Sequence, residues 1–425
     1  MFTERDNEDL TRVGPGTLMG DLMRRYWLPF LLVEELSERD GPPIRTRLLG
    51  EDLVAFRDTN GQLGLLDRYC PHRRVDLFFG RNEECGLRCV YHGWKFDVHG
   101  NCMDMPAEPL NSPMRNEVKI KSYPVMEWGG VIWAYMGPKE HMPPKPPELE
   151  WGSVPSDHRH VSKRLQENNY AQGVEGGIDS SHVSILHSML DPEKAHLPFR
   201  QRLRALGPSY FASDTAPKFF VRPTNYGMRV GARRIASDSE YYWRIAQFLL
   251  PFYSMVARQD DESPILGHAW VPIDDHNTWT FTMWWNPVRP LGEHGKDYDR
   301  VEVSVPVRKD GTYQSVKDRS NNYGIDRQVQ RLLNATGIHG VGLQDNAVQE
   351  SMGPIVNRSR ETLGSGDAAI VAFRRMILTQ ARNLRQTGEI TLPQQTHLYR
   401  VRSAAMVLPR DIDFEEGAHQ RLLAP

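Results

Sequence analysis

Two short segments carry the strongest signal in this sequence: Cys70-Pro-His72 and, after sixteen intervening residues, Cys89-Val-Tyr-His92-Gly93-Trp94. Each segment offers one thiolate and one imidazole. Four such ligands bind one zinc ion tetrahedrally, or a [2Fe–2S] cluster with cysteines on one iron and histidines on the other. Zinc sites usually pair like ligands on each turn, whereas each segment here mixes the two types. We therefore predict a [2Fe–2S] cluster held between two loops, with a structural zinc site as the alternative.

Length and composition describe a large, nearly neutral protein. Its 425 residues are 39% hydrophobic, which suits a sizeable core and favours two domains over one. The formal net charge of −2 argues against a nucleic-acid-binding protein and against a polybasic membrane surface. The N-terminus lacks a basic-then-apolar signal, and no stretch reaches about 18 uncharged apolar residues. We therefore predict a cytoplasmic protein that binds neither nucleic acid nor a membrane.

The cysteines are confined to one part of the chain, at Cys70, Cys85, Cys89 and Cys102. A disulfide framework would be spread more widely, so we predict reduced thiols. Cys85 and Cys102 lie outside the two segments, and we expect them to be small buried residues near the cluster.

Residues 1–150 show the pattern of a small antiparallel β domain that contains both cysteine segments on its loops. A short amphipathic helix is predicted after Gly16, and Asn60-Gly61 is a strong hairpin signal. The proline-rich residues 142–148 predict a stiff connector at the end of the domain. Predicted strands are Ile44–Leu49, Leu53–Phe56, Leu63–Leu66 and Val131–Met136.

Residues 151–425 predict a second domain in which an antiparallel sheet is flanked by helices. A helix is predicted from Lys163 to Ser188, interrupted at Gly173 and at Gly176-Gly177, with later helices at 326–333 and 368–384. Predicted strands are Phe219–Arg222, Tyr226–Arg234, Tyr241–Leu250, Ile265–Ile273 and Thr278–Trp285. The fold class is therefore α+β.

A second group of candidate ligands follows in this domain, at Asp179, His182 and His187. Two neutral imidazoles and a nearby carboxylate suit a ferrous site with two histidines, one carboxylate and positions left open for oxygen. His182 and His187 lie about 140° apart on an ideal helix, so we expect a helix end or a π-type distortion between them. Alone, this spacing also fits two ordinary histidines. An electron-storing cluster in the same chain favours the iron site, because the cluster needs something to reduce.

Together the two motifs resemble the Rieske non-haem iron aromatic-ring oxygenases, in particular the oxygenase component of the phthalate dioxygenase-like group. The resemblance is carried by Leu10–Gly16, Tyr91–Trp94, Glu175–His187 and Tyr241–Arg244. It implies a Rieske cluster bound by Cys70, His72, Cys89 and His92, and a mononuclear Fe(II) bound by His182 and His187.

The resemblance also implies roles for carboxylates. Asp179 matches the family's bridging aspartate, which hydrogen-bonds a ligating histidine of its own subunit and a cluster histidine, here His92, of the neighbouring subunit. The third iron ligand of the family is an aspartate on a late helix. We assign it to Asp345, with Glu350 as the alternative.

Two further residues have roles that the sequence leaves open. Glu175 stands where many relatives have an amide, so we expect either proton handling near the iron or, beside Gly176-Gly177, a turn residue. Arg244 alternates with aromatic residues on a predicted strand and suits a bidentate pair with a substrate carboxylate in an apolar cavity. Its alternative is an ion pair with Glu240 or Asp238 at the sheet edge.

The function implied is that of an oxygenase that takes NAD(P)H-derived electrons from a flavin/iron–sulfur reductase. It would use dioxygen to cis-dihydroxylate an aromatic carboxylate such as phthalate or a substituted benzoate. O-demethylation of a lignin-derived methoxybenzoate is the alternative. The resemblance implies a homotrimer or a stacked pair of trimers, in which one subunit's cluster faces the next subunit's iron. Two other classes are a Rieske protein limited to electron transfer and a zinc-stabilised interaction protein.

Overall fold

The structure is a computed structural model that describes residues 2–109, 111–188, 190, 210, 214–257, 263–292 and 305–425. The chain divides into two compact units. The N-terminal unit comprises Arg12–Pro146 with Pro272–Asp274, and the C-terminal unit comprises Met1–Thr11, Pro147–Val271 and Asp275–Pro425. The first residues of the chain belong to the C-terminal unit because Asn169 and Tyr170 hydrogen-bond to the carbonyls of Thr11 and Leu10.

The helices and strands of the described residues are numbered in chain order. The α-helices are α1 Glu4–Thr11, α2 Leu18–Met23, α3 Met114–Glu117, α4 Glu150–Ser153, α5 Tyr170–Ile178, α6 Arg327–Leu332, α7 Val341–Ser351, α8 Ala368–Thr387 and α9 Phe414–Ala418. The strands of the N-terminal unit are β1 Trp27–Leu32, β2 Ile44–Leu48, β3 Glu51–Arg57, β4 Leu63–Asp67, β5 Arg81–Glu83, β6 Gly86–Arg88, β7 Lys95–Phe96, β8 Cys102–Asp104, β9 Val125–Trp128 and β10 Val131–Tyr135. The later strands are β11 Arg159–Gln166, β12 Lys218–Pro223, β13 Gly227–Ile235, β14 Glu240–Leu249, β15 Tyr253–Val256, β16 Ile265–Pro272, β17 Thr278–Trp285 and β18 Ala404–Pro409.

The N-terminal unit is built from small antiparallel sheets, in the orders β1-β10-β9, β2-β3-β4 and β5-β6-β7-β8. The predicted helix after Gly16 and the predicted strands are confirmed as α2, β2, β3, β4 and β10. Gly61, in the hairpin between β3 and β4, has a φ of 83°, a conformation that suits glycine. The core of this unit is formed by Val54, Phe56, Leu66, Leu77, Leu87, Trp94 and Phe96, and it also includes Cys70 and Cys89.

The C-terminal unit is centred on an antiparallel sheet of order β11-β17-β16-β15-β14-β13-β12, in which β18 also pairs with β14. The predicted strands from residue 219 to residue 285 are confirmed as β12, β13, β14, β16 and β17. The predicted late helices are confirmed as α6 and α8. None of the described helices combines the length and the apolar composition needed to cross a bilayer. The two units together confirm the α+β class.

The prediction of a helix beginning at Lys163 was wrong. Lys163 lies on β11, whose register places it opposite Phe281 of β17. Its ammonium group sits over the rings of Trp279 and Tyr313, at 4.5 and 4.2 Å from their centroids. Lys163 and the next residue, Arg164, are both buried although both are charged. The segment therefore lacks the alternation of apolar and polar residues by which a strand is recognised in a sequence.

Helix α5 is not interrupted by its glycines, contrary to the prediction. A Cβ added to Gly176 would lie 2.3 Å from Nε2 of Gln349, and one added to Gly177 would lie 2.4 Å from Oγ of Ser254. These glycines therefore let α5 approach α7 and the sheet closely, rather than ending the helix. This close approach brings the end of α5 near α7, on which Asp345 lies.

Candidate metal centres

The two cysteine segments form loops with the same backbone geometry. In the first, the N–H of Arg74 donates to the carbonyl of Cys70 at 2.9 Å, and in the second the N–H of Gly93 donates to that of Cys89 at 3.0 Å. Arg74 and Gly93 both have positive φ, at 59° and 77°. A Cβ on Gly93 would lie 2.5 Å from Pro106, so only glycine fits the second loop.

The side chains of the two loops converge. The rings of His72 and His92 have centroids 4.4 Å apart, and His72 stacks on Trp94 at 4.5 Å. A hydrogen bond between the two thiols lowers the pKa of Cys89 to about 6 and raises the pKa of Cys70. Two sulfur and two nitrogen donors from two equivalent loops fit a [2Fe–2S] cluster with mixed ligands.

The two kinds of ligand differ in exposure. Cys70 and Cys89 are buried in the core of the N-terminal unit, whereas His72 is exposed and His92 is partly exposed. The neighbouring Val90 and Tyr91 are also exposed. The histidine side of the site therefore faces outward, where an electron-transfer partner can approach it.

Three predicted ligands meet in the C-terminal unit. Asp345, on α7, places Oδ1 at 3.7 Å from Nε2 of His182 and at 3.4 Å from Nε2 of His187. One ligand atom from each residue lies within 4.8 Å of the others, and all three residues are partly exposed. Two imidazoles and one carboxylate in this arrangement fit an iron site that remains accessible to small molecules.

Asp179 is positioned by the end of α5 rather than by a helical face. It is the C-cap of α5, its Oδ1 accepts the N–H of Ser181 at 2.6 Å, and its Oδ2 accepts Nδ1–H of His182 at 3.1 Å. The helix ends at Ile178, before both histidines, rather than between them as expected, and His182 begins a separate 3₁₀ turn, His182–Ser184. The bond to Asp179 leaves Nε2 of His182 directed at Asp345.

Gln344 was missed by the sequence reasoning. Its Oε1 lies 2.7 Å from Nδ1 of His187, which makes it the counterpart of Asp179 for the second histidine. The only sequence signal was its place directly before Asp345, because glutamine is common on helices and carries no metal signature.

The charges of the site favour ionised carboxylates. Burial alone would raise the pKa of Asp345, but the neighbouring His187 and His182 hold it below its usual range. Burial likewise opposes ionisation of Asp179, but the hydrogen bond and charge of His182 lower its pKa overall. Both carboxylates are therefore charged at neutral pH, as metal binding requires.

Glu175 does not face the ligands. It lies inside α5, where its carboxylate pairs with Arg358 at 2.9 Å and with Arg374 at 2.7 Å. Because two arginines surround it, a role in proton handling is not supported, and the expectation of a turn residue was wrong. The neighbouring Arg374 also pairs with Glu361.

Glu350 is occupied elsewhere on α7. Its carboxylate accepts the hydroxyl of Tyr323 at 2.6 Å and the N–H of Glu167 at 3.1 Å. Burial raises its pKa. Of the two carboxylates proposed from the sequence, Asp345 is the one that lies with the histidines.

Arg244 is buried in the middle of β14, diagonally across from Arg234 on β13. Burial, and then the charge of Arg244, lower the pKa of Arg234 to about 10. Burial alone would lower the pKa of His182, but Asp179 and Asp345 raise it overall, and the charge of Arg244 acts against that rise. Arg234 donates to the carbonyl of Ser180 and to Oγ of Ser184, so this pair of arginines lies close to the segment that carries His182. Glu240 lies at the exposed start of β14 and accepts a hydrogen bond from Ser237.

Two family models together match most of the chain. The model of the Rieske [2Fe-2S] domain matches residues 26–124, and the model described as LigXa C-terminal domain like matches residues 134–421. The chain is 38% identical to the 3-chlorobenzoate-3,4-dioxygenase oxygenase subunit of Comamonas testosteroni, over 99% of both chains. It is 40% identical to the phthalate 4,5-dioxygenase oxygenase subunit of Pseudomonas putida, over 98% of this chain and 94% of that one.

A more distant relative and a solved structure extend the comparison. The 5,5'-dehydrodivanillate O-demethylase oxygenase subunit of Sphingobium sp. is 33% identical over 89% of this chain and 80% of its own length. The terminal oxygenase of carbazole 1,9a-dioxygenase from Nocardioides aromaticivorans has the same fold, with a TM-score of 0.56 at 18% identity over 90% of this chain and 98% of that one.

Similarity along almost the entire chain thus accompanies two groups of residues that could hold metals, one on the paired cysteine loops and one formed by His182, His187 and Asp345. The chain belongs to the Rieske non-haem iron aromatic-ring oxygenases of the phthalate dioxygenase-like group, as an oxidoreductase whose cofactors are a Rieske [2Fe–2S] cluster and a mononuclear iron.

Proposed function

We propose that this chain is the oxygenase component of a system that cis-dihydroxylates an aromatic carboxylate, such as phthalate or a substituted benzoate. The observation that carries the substrate class is the buried Arg244 beside the metal ligands and beside a second buried cation, Arg234. Arg234 is itself held by the carbonyl of Ser180 and Oγ of Ser184. We therefore assign the substrate carboxylate to Arg244, because an anion would offset the repulsion between two buried positive charges on one face of the sheet.

The geometry of Arg244 supports this use. Its Nη2 lies 3.4 Å from the carbonyl of Ala257, a long hydrogen bond. Glu240 is exposed at the start of the strand, four residues before the buried Arg244. This placement favours a role for Arg244 inside the unit over an ion pair between Arg244 and Glu240 at the sheet edge. Two relatives are named for benzoate and phthalate substrates, which are aromatic carboxylates.

In this proposal Cys70, His72, Cys89 and His92 hold the cluster, and His182, His187 and Asp345 hold the iron. When bound, these groups supply stored electrons and the activation of dioxygen. The protein's own task is to aim both imidazoles by Nε2, to keep Asp345 ionised, and to orient the substrate by its carboxylate. Asp179 fixes the ring of His182 and keeps a negative charge beside it.

We further propose that the working protein is a homotrimer or a stacked pair of trimers. In such a ring, Asp179 of one subunit accepts a hydrogen bond from His92 of the next. Support comes from the outward-facing histidines, flanked by Val90 and Tyr91, which are 55% and 53% exposed, and from the partial exposure of Asp179. The partner that delivers electrons would be a flavin/iron–sulfur reductase, and four cysteines free of disulfide bonds suit a reducing cytoplasm.

The test of function is a substrate screen. Purified protein with a flavin/iron–sulfur reductase, NADH and dioxygen should convert a phthalate or benzoate into a product that keeps every carbon and gains two hydroxyl groups. Mass analysis of products with ¹⁸O₂ checks the origin of the oxygen. Conversion of uncharged aromatic compounds alone would contradict the substrate class.

A variant pair tests Arg244 itself. Arg244→Met should raise KM for the carboxylated substrate by about tenfold or more, because a charge-assisted hydrogen bond is worth about 1.5–3 kcal/mol. Arg233→Met, on the opposite face of β13, is the matched control and should leave KM unchanged. Equal KM values for the wild type and Arg244→Met would reject the carboxylate anchor while leaving the oxygenase assignment intact.

O-demethylation is the second candidate, because one relative is named as an O-demethylase of 5,5'-dehydrodivanillate. The same screen distinguishes it. The methyl carbon of a methoxybenzoate would then leave as formaldehyde, whose oxygen comes from dioxygen, and the phenol that remains would keep the oxygen of the methoxy group; the second oxygen atom of dioxygen would be reduced to water. Formation of formaldehyde without any dihydrodiol would establish O-demethylation instead of cis-dihydroxylation.

A further inference from the structure

The side chain of Gln344 is fixed at both ends. Its Oε1 lies 2.7 Å from Nδ1 of His187, and its Nε2 donates to the carbonyl of Ile338 at 2.9 Å. A carbonyl oxygen only accepts hydrogen bonds, so the amide nitrogen must face Ile338 and the amide oxygen must face His187. Nδ1 of His187 must therefore carry the proton, which leaves the lone pair of Nε2 facing Asp345 at 3.4 Å.

The carbonyl that orients Gln344 is itself held in place. Nδ2 of Asn334 also donates to the oxygen of Ile338, at 3.3 Å, and Oδ1 of Asn334 accepts the N–H of Gly337 at 2.6 Å. Asn334, Gln344 and Ile338 are all buried. A buried polar network whose members are all engaged is rigid, so the amide of Gln344 has one orientation.

The same turn also holds the backbone next to His187. The carbonyl of Ser188 accepts the N–H of Ala335 at 3.3 Å, and the N–H of Leu190 donates to the carbonyl of Leu333 at 2.9 Å. Segment 333–338 is therefore connected to His187 in two ways: by main-chain hydrogen bonds to Ser188 and Leu190, and by the amide of Gln344, which bonds to Ile338.

We propose that Gln344 is the positioning residue of His187 and sets the tautomer and ring direction with which this histidine binds iron. The proposal rests on the proposed function, in which His187 is an iron ligand. The two histidines then differ in kind, because His182 is supported by a carboxylate and His187 by a neutral amide. An anionic acceptor makes an imidazole a stronger donor than a neutral acceptor does.

Two substitutions separate this role from packing. Gln344→Met keeps the length of the side chain and its helix propensity but removes the oxygen that His187 faces. Gln344→Glu keeps that oxygen, and its other oxygen faces the carbonyl of Ile338 unfavourably. Gln349→Met is the matched control, because Gln349 is a buried glutamine on the same helix whose Oε1 accepts from Gln166 at 2.7 Å.

The measurement is Co(II) affinity of the whole protein with its cluster in place and its mononuclear iron exchanged for Co(II). Low-temperature EPR reports the Co(II) environment, because the oxidised cluster is diamagnetic. Gln344→Met should weaken Co(II) binding about 10–100-fold and change the EPR signal. Gln344→Glu should lose thermal stability yet bind Co(II) within a few fold of the wild type, and Gln349→Met should lose stability only.

Two results would overturn the role of Gln344 alone: wild-type affinity and signal in Gln344→Met, or an equal loss of affinity in Gln349→Met. Failure of the wild-type protein to take up one Co(II) per chain would instead reject the iron site, and the proposed function with it.

Discussion

Arg358 forms two hydrogen bonds with the carboxylate of Glu175, from Nε at 2.9 Å and from Nη2 at 3.0 Å. Arg374 adds a third, from Nε at 2.7 Å. Burial alone would raise the pKa of Glu175, but the two arginines hold it below its usual range. This anion, four residues before Asp179, joins α5 to α8 and to the segment that contains Arg358.

Glu175→Gln should destabilise the C-terminal unit by about 3 kcal/mol or more, because removing one partner leaves buried arginine charges unpaired. Urea unfolding followed by tryptophan fluorescence measures the change. Glu415→Gln is the control, since Glu415 pairs with Arg229 at a more exposed site and should change stability by less than about 1 kcal/mol. Similar losses of unfolding free energy in both variants would show that the buried ion pairs of Glu175 contribute no more to stability than an exposed ion pair does.

Asp345→Ala should remove the mononuclear iron and abolish turnover while the cluster remains, because two imidazoles alone bind iron poorly. Iron analysis should fall from about three to about two atoms per chain, with acid-labile sulfide unchanged. Glu350→Gln should keep about three, since Glu350 bonds to Tyr323 instead. Loss of iron in Glu350→Gln with retention in Asp345→Ala would reverse the ligand assignment.

Asp179→Asn should retain both metals and the fold, because the amide oxygen still accepts Nδ1–H of His182, although the bond from the N–H of Ser181 is lost. Product formation should nevertheless fall at least about 100-fold, since the charge that we propose links the two sites is lost. The rate at which the reduced cluster is reoxidised by dioxygen in the presence of substrate is the direct measurement. Asp326→Asn, at the N-cap of α6, is the control, and full turnover in Asp179→Asn would remove the bridging role.

The pH dependence of stability should report on His268. Burial, with a smaller effect of Arg164, lowers the pKa of this residue to about 3, whereas an unfolded histidine titrates near 6.5. Below pH 6.5, His268 is therefore protonated in the unfolded chain but not in the folded protein, and the free energy of unfolding decreases. Between pH 7.5 and pH 5 the wild type should lose about 2 kcal/mol more than His268→Gln.

Unfolding midpoints at both pH values measure this difference, with His397→Gln as the control because His397 is exposed. A wild type and a His268→Gln variant with parallel pH profiles would mean that His268 is protonated in the folded protein.

The fold of the N-terminal unit could be predicted because its signals are local. Strand alternation, the Asn60-Gly61 turn and the spacing within each cysteine segment all act over a few residues, and the structure confirms the strands. Strand β11 could not be recognised, because Lys163 is stabilised by Trp279 and Tyr313, residues from distant parts of the chain. Tertiary contacts there override the local pattern.

The candidate iron site was partly predictable for the same reason. His182 and Asp179 are three residues apart, and their hydrogen bond needs only a helix end. Gln344 lies 157 residues from His187, and Arg358 lies 183 from Glu175. No local periodicity links such pairs, so neither the contact of Gln344 with His187 nor the buried ion pairs of Glu175 could be predicted from the sequence.

The sequence by itself determined the α+β class and the family, and it predicted the number and type of the metal ligands. Only the tertiary structure decided which carboxylate lies with the histidines, that Glu175 pairs with two buried arginines, and that the amide of Gln344 contacts His187. The physical reason is that candidate ligands are recognised from their side-chain type and their short spacing in the sequence. The tautomer of a histidine, the charge of a carboxylate and the residues that contact the ligands depend instead on groups that meet only when distant segments fold together.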